Sequence, residues 1–141
     1  MKPRAKAMDL LARREYGFKE LCERLARHYE AEDIMPVVAK LADEGLQSDE
    51  RYVEGFVRYK AKQGYGPHYI AHCLNKTVRH QALVDQALTS YDWLDCAKDV
   101  VLKKTSRTSQ QLYKYMQAKG FPFAVIKQAI DDLQGETNEN E

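Results

Sequence analysis

The sequence predicts an all-α protein, an elongated curved array of three tandem three-helix repeats. Three observations lead there. No segment alternates apolar and polar residues with β-branched enrichment. The seven glycines and four prolines fall mostly where a helix could begin or end. Apolar pairs at helical spacing recur along the chain at intervals of 42 to 49 residues.

The periodicity places helices near 5–15, 17–29, 34–44, 49–63, 67–76, 79–89, 92–104, 109–118 and 122–133. Their stops are marked by Gly45-Leu46, Gly64-Tyr65 and Gly120-Phe121, each a glycine suited to a left-handed C-terminal turn and followed by an apolar residue that can fold back. Pro67 and Pro122 suit a first helical position, where the missing N–H costs nothing. Thr108-x-x-Gln111 has capping-box spacing. The polar, acidic tail 135–141 is expected to fray.

Taken in triplets, the helices align. Leu21/Leu25 and Val38/Leu41 match Ile70/Leu74 and Val84/Ala87, then Leu112/Met116 and Ile126/Ala129. The repeats are 1–48, 49–91 and 92–134. A three-helix unit of this size buries too little apolar surface alone, so units are expected to stack and share faces. Such arrays present a long surface to a macromolecule rather than a deep catalytic pocket. A single nine-helix bundle is the alternative.

Hydrophobic residues at 44% and a net charge of +1 describe an ordinary soluble protein, but the charge is unevenly spread. Residues 1–50 hold nine Lys/Arg against eleven Asp/Glu, 51–80 hold six against one, and 81–141 hold seven against nine. Within the last block, residues 98–119 are themselves basic, with Lys98, Lys103, Lys104, Arg107, Lys114 and Lys119 against Asp99 alone. Cys22, Cys73 and Cys96 are odd in number and widely spaced, which argues against a disulfide framework or zinc site and for a reducing, cytoplasmic setting. No apolar run reaches membrane-span length.

Catalytic chemistry finds little support. His68 and His72 have i, i+4 ligand spacing, but the glutamate of H-E-x-x-H is missing. Asp131-Asp132 and Glu30-Ala31-Glu32-Asp33 lack a neighbouring histidine or nucleophile. Gly64-x-Gly66 runs into Pro67, which removes an N–H that a phosphate nest would use. The expectation is a protein that is not an enzyme and has no cofactor, metal or catalytic residue.

The helix 49–63 carries two stripes. Tyr52, Phe56 and Tyr59, broadened by Val53 and Val57, read as core. Arg51, Gly55, Arg58 and Lys62 form the opposite stripe, with Gly55 suited to close approach by a neighbour. Lys60 and Tyr65 stand at the helix end and in its turn, and Arg79 at the next inter-helix turn extends the positive surface. The stripe suits an acidic partner surface or a phosphate backbone.

The run LADEGLQSDERYVEGFVRYKAKQGYGPHYI, residues 41–70, resembles the signature of the RecX proteins, bacterial regulators of the RecA recombinase. The matching positions are Leu41, Gly45, Leu46, Asp49, Arg51, Tyr52, Gly64, Gly66, Pro67, Ile70 and Leu74. Residues 7–25, AMDLLARREYGFKELCERL, are similar to the family's opening. Tyr52 stands where phenylalanine is commoner, and Tyr16-Gly17 where a serine-type cap is usual.

The resemblance implies a helical solenoid of three repeats that binds RecA, lodges in the groove of its filament on DNA, and inhibits its ATPase, coprotease and strand-exchange activities. On this reading Arg51, Arg58, Lys60, Lys62, Tyr65, Arg79, Lys103, Lys104, Arg107 and Lys114 meet the filament or its DNA. Gly45, Asp49, Tyr52, Gly64, Gly66, Pro67, Ile70 and Leu74 are structural. A monomer is expected. The rival is a stand-alone helical DNA-binding protein with Lys103, Lys104, Arg107 and Lys114 on phosphates, although no helix combines several Arg, Asn and Gln on one face as base readout needs.

Overall fold

The computed structural model describes residues 1–104 and 106–139, with the backbone alone for 136–139. Thr105, Asn140 and Glu141 lie outside the described residues. Among the described residues nine α-helices follow in order: α1 Pro3–Arg13, α2 Phe18–Leu25, α3 Ala31–Asp43, α4 Asp49–Lys62, α5 Pro67–Asn75, α6 Gln81–Thr89, α7 Trp93–Lys103, α8 Ser109–Ala118 and α9 Phe123–Glu139. Among the described residues there is no strand.

Several boundaries move from their expected places. The helix expected at 34–44 begins at Ala31, with Pro36 inside it and Glu32 and Asp33 in its first turn, where carboxylates suit the positive end of the dipole. The one expected at 17–29 ends at Leu25, whose carbonyl accepts from the His28 and Tyr29 N–H groups in a closing turn. α9 runs past 133 to Glu139, because Gly135 does not take the left-handed φ that would stop it.

The three glycine stops are as the sequence predicts. Gly45, Gly64 and Gly120 have φ of 78°, 92° and 100°. Each makes the same pair of bonds: Gly45 N–H to Ala42 O and Leu46 N–H to Leu41 O, then Gly64 to Ala61 with Tyr65 to Lys60, then Gly120 to Gln117 with Phe121 to Met116. That is the Schellman arrangement, which satisfies carbonyls the helix leaves unpaired. Thr108 and Gln111 form the expected capping box on α8.

The chain packs as two units: Met1–Gly55 with Cys73–Ala87, and Phe56–His72 with Leu88–Glu141. The first has a core of Ala7, Leu10, Tyr16, Phe18, Leu21, Leu25, Ile34, Val38 and Leu41. The second is built on Ala97, Val100, Leu112, Met116, Phe121, Ile126, Ala129 and Ile130, with α7 packed along α9. Of the apolar positions that align between triplets, only Ala87 is not buried.

One joint occurs in both units. In the first, the Thr77 carbonyl, just past α5, accepts from the Glu20 N–H in the first turn of α2 at 3.2 Å. A Cβ on Gly17 would collide with that carbonyl. In the second, the Lys119 carbonyl accepts from Gly66 N–H at 2.8 Å and the Gly120 carbonyl from His68 N–H at 2.9 Å, at the start of α5. A Cβ on Gly66 would lie 2.6 Å from Gly120 and Phe121 backbone atoms. The unpaired N–H groups of one helix start are thus met by the carbonyls that end another. Gly17 also explains itself here: the third-position N–H that a serine cap would satisfy is bonded to Thr77 instead, and Tyr52 packs beneath the glycine.

Asp49 ties the first unit together. It is 5% exposed. Its Oδ1 accepts from Phe18 N–H at 2.8 Å and from Gln47 Nε2 at 3.1 Å, and its Oδ2 accepts from Arg79 N–H at 2.7 Å and His80 N–H at 3.3 Å. Gln47, itself buried, also donates to the Tyr16 carbonyl.

Three outcomes test this packing in thermal or denaturant unfolding. Gly66→Ala costs about 2 kcal/mol or more, because backbone must move to admit the methyl. Gly55→Ala, where a Cβ meets nothing within 4 Å, stabilises α4 by about 0.5 to 1 kcal/mol. Asp49→Ala costs about 2 to 4 kcal/mol by leaving several buried donors unpaired.

Candidate functional site

The joint at Gly66 and Gly120 assembles a surface that the linear sequence disperses. Tyr65 sits between the two glycines of its turn, and Lys119 immediately precedes Gly120. Because Gly66 N–H bonds Lys119 O, the Lys119 ammonium comes to lie 3.8 Å from the centroid of the Tyr65 ring. Tyr69, one helical turn on, stacks against that ring at 4.2 Å. Lys60, in the last turn of α4, reaches the same ring at 5.2 Å and approaches Phe56 and Tyr59 as well.

A second ring continues the row. Tyr115 on α8 has the Arg107 guanidinium over it at 4.6 Å, Lys104 at 5.1 Å and Lys119 at 5.8 Å. Lys114 lines the shallow depression beside Tyr115 together with Ser106, Arg107 and Gln111. Lys60, Lys104, Arg107, Lys114 and Lys119 therefore share one cation–aromatic surface in the second unit. Among the described residues none of these five pairs with a carboxylate, whereas Lys98, from the same basic stretch, bonds Asp132 at 3.2 Å.

Each cation–ring contact contributes about 0.5 to 1 kcal/mol at an exposed site. Its larger effect is on order: the rings hold flexible cations in place without neutralising them. The faces of Tyr65 and Tyr115 are used by cations, so the row presents charge rather than open stacking platforms. It can hold carboxylates or phosphates, and it offers no nucleophile, general base or ligand set.

The other expected contact residues fall out differently. Arg58, Lys62 and Lys103 are exposed in the second unit. Arg58 is near enough to Tyr91 to favour its phenolate, although burial dominates and raises the Tyr91 pKa. Arg51 is held inside the first unit, with Nε on Glu15 at 2.8 Å and Nη2 on the Gly45 carbonyl at 2.8 Å. Arg79 also belongs to the first unit, its guanidinium 3.9 Å over the Phe18 ring.

Tyr59 is not core: it is 61% exposed. The buried face of α4 runs instead through Tyr52, Val53, Val57 and Ala61, leaving Phe56 half-buried. Among the described residues, and apart from the adjoining backbone of α4, no atom lies within 4 Å of where a Cβ on Gly55 would stand. His68 and His72 are exposed, and among the described residues no three His, Cys, Asp or Glu side chains gather to hold a metal. No described helix is long and apolar enough to cross a membrane. Sequence reasoning missed Lys119 and Tyr115 as members of the row; the i, i+4 pair they form on α8 was the available signal.

Comparison with known proteins gives a consistent picture. No family model matches the chain. It is 36% identical over 133 residues to the regulatory protein RecX of Pseudomonas putida strain GB-1, covering 87% of this chain and 85% of that one. It is 34% identical over 143 residues to the regulatory protein RecX of Pseudomonas savastanoi pv. phaseolicola, covering 94% and 92%. In fold it is similar to the crystal structure of RecX from Lactobacillus salivarius, with a TM-score of 0.79 at 20% identity over 94% of each chain.

Replacing Lys104 and Arg107 together by Glu leaves helicity and melting temperature nearly unchanged, since exposed side chains over one ring carry little of the fold. Circular dichroism melts check this; a drop of many degrees would make the pair structural.

Proposed function

Because the chain belongs to the RecX family of regulatory proteins, we propose that it binds the RecA recombinase and its filament on DNA and acts there as a negative regulator of recombination and the SOS response. It slows ATP hydrolysis, coprotease action and strand exchange by occupying the filament, with no chemistry of its own. The observation that carries this reading is the row of four cations ordered over Tyr65 and Tyr115, with Lys114 beside them, none paired with a carboxylate among the described residues.

An ordered positive row suits an acidic filament groove and the phosphate backbone within it. It steers association and sets register, and its contribution falls as salt rises. Arg58, Lys62 and Lys103 add exposed charge to the same unit. Arg51 and Arg79 enter this reading through the first unit, where Arg51 is already engaged with Glu15. Rings already holding cations favour charge over base identity, which supports filament binding over sequence-specific DNA recognition. On this reading the scaffold is three tandem three-helix repeats, 1–48, 49–91 and 92–134, acting as a monomer in the cytoplasm.

RecA-catalysed ATP hydrolysis on single-stranded DNA tests the proposal, with the chain added below stoichiometry and at saturation. The wild-type chain slows hydrolysis. Arg58→Glu with Lys62→Glu, and separately Lys104→Glu with Arg107→Glu, each raise the concentration needed by about tenfold or more while the melting temperature holds. Unchanged hydrolysis at both levels of wild-type chain overturns the reading. Tight binding to duplex DNA alongside that result would select the stand-alone DNA-binding alternative.

A further inference from the structure

A second surface, wholly within the first unit, has different chemistry. α2 places Phe18, Cys22 and Ala26 at i, i+4 and i+8, one strip along its outer side, and α3 sets Ala31, Ile34 and Met35 beside them. Between the helices runs an open groove of about 550 Å³. Phe18 and Ile34 form its buried floor, while Met35 is 51% exposed. Cys22 Sγ lies 3.9 Å from Met35 Sδ, so two polarizable sulfurs line the centre. Burial raises the Cys22 pKa, more than nearby Arg79 lowers it, which keeps the thiol neutral and the floor apolar at neutral pH.

The rim is charged, and unequally. Lys19, Lys76 and Arg79 stand around the groove against Glu23 alone. Among the described residues none of the three cations pairs with a carboxylate. Arg79 is held in place by its own contacts, its guanidinium over Phe18 and its backbone N–H on Asp49. An exposed apolar trough with an ordered cationic border is costly to leave in water: its floor, Phe18 and Ile34, belongs to the core of this unit, while its mouth opens to solvent.

We propose that this groove docks an acidic amphipathic helix of a partner protein. The strip from Phe18 to Ala26 spans eight residues, about 12 Å at 1.5 Å per residue, which matches two turns of a docked helix offering apolar anchors at i and i+4. Carboxylates flanking those anchors meet Lys19, Lys76 and Arg79. The surface is recessed, so it accepts side chains that protrude from a partner. A lipid surface would require the reverse, apolar side chains projecting outward from a basic face. The site uses no residue of the cation–aromatic row in the second unit, so it stands whether or not that row binds a filament.

Fluorescence anisotropy on the full chain tests it with a dye-labelled synthetic helical peptide carrying leucines at i, i+4 and i+7 flanked by glutamates. The control is the same peptide with lysines in place of the glutamates. The acidic peptide binds saturably and the basic one about tenfold or more weakly. Met35→Glu, at an exposed position, removes binding without lowering the melting temperature. Lys19→Glu with Lys76→Glu reverses the preference between the two peptides. In parallel, the acidic peptide slows alkylation of Cys22 by iodoacetamide, read by mass spectrometry, and leaves Cys73 and Cys96 unaffected. Equal binding of both peptides, no binding of the acidic one, or unaltered Cys22 alkylation overturns the proposal. So does Met35-dependent binding to anionic lipid vesicles with no binding of the acidic peptide.

Discussion

The constraint on which much of this structure depends is the meeting of a helix start with the carbonyls that end another helix, at a distance no Cβ allows. A helix begins with N–H groups that lack partners within it, and leaving one buried and unpaired costs about 1 to 3 kcal/mol. Here backbone carbonyls partner some of those groups at the starts of α2 and α5, beside Asp49 Oδ1 on the Phe18 N–H of α2. Thr77 O meets Glu20 N–H, and Lys119 O and Gly120 O meet Gly66 and His68 N–H. The opposed ends of the helix dipoles also attract. The requirement on the sequence is steric: Gly17 and Gly66 must lack a side chain.

The cation–aromatic surface inherits its geometry from that joint. Tyr65 and Lys119 are far apart in sequence, and it is the bond between the backbone of Gly66 and Lys119 that brings ring and ammonium together. Pro67 begins α5 and Gly64 ends α4, so the turn that carries Tyr65 is pinned on both sides. A glycine-rich turn that could suggest a ligand loop is instead a fixed corner. Order in the turn becomes order in the charges above it.

Charge is sorted by what surrounds it. Arg4, Arg14, Arg51, Lys98 and Lys127 each have a carboxylate within reach, and exposed pairs of this kind contribute little to stability because water screens them. Asp49, by contrast, is buried and bonded by N–H groups from the starts of α2 and the segment before α6, so its charge is spent on architecture. The cations over Tyr65 and Tyr115 are held by rings, which position without neutralising. Those remain available to a partner.

The sequence by itself determined the helical class, most helix positions, the three left-handed stops and the apolar positions that align between triplets, because periodicity and glycine conformation are local properties of a chain. It also carried the family likeness through residues 41–74. Tertiary structure decided which of the like-looking residues serve which role. Tyr52 is core and Tyr59 is surface although they share a helix face, since Tyr52 packs under Gly17 whereas Tyr59 meets solvent. Among the described residues Arg51 and Lys98 are held in ion pairs while Lys60 and Lys119 are not, a distinction set by which carboxylates the fold brings near. Spacing along a helix specifies a face, but what lies opposite that face depends on residues distant in the chain.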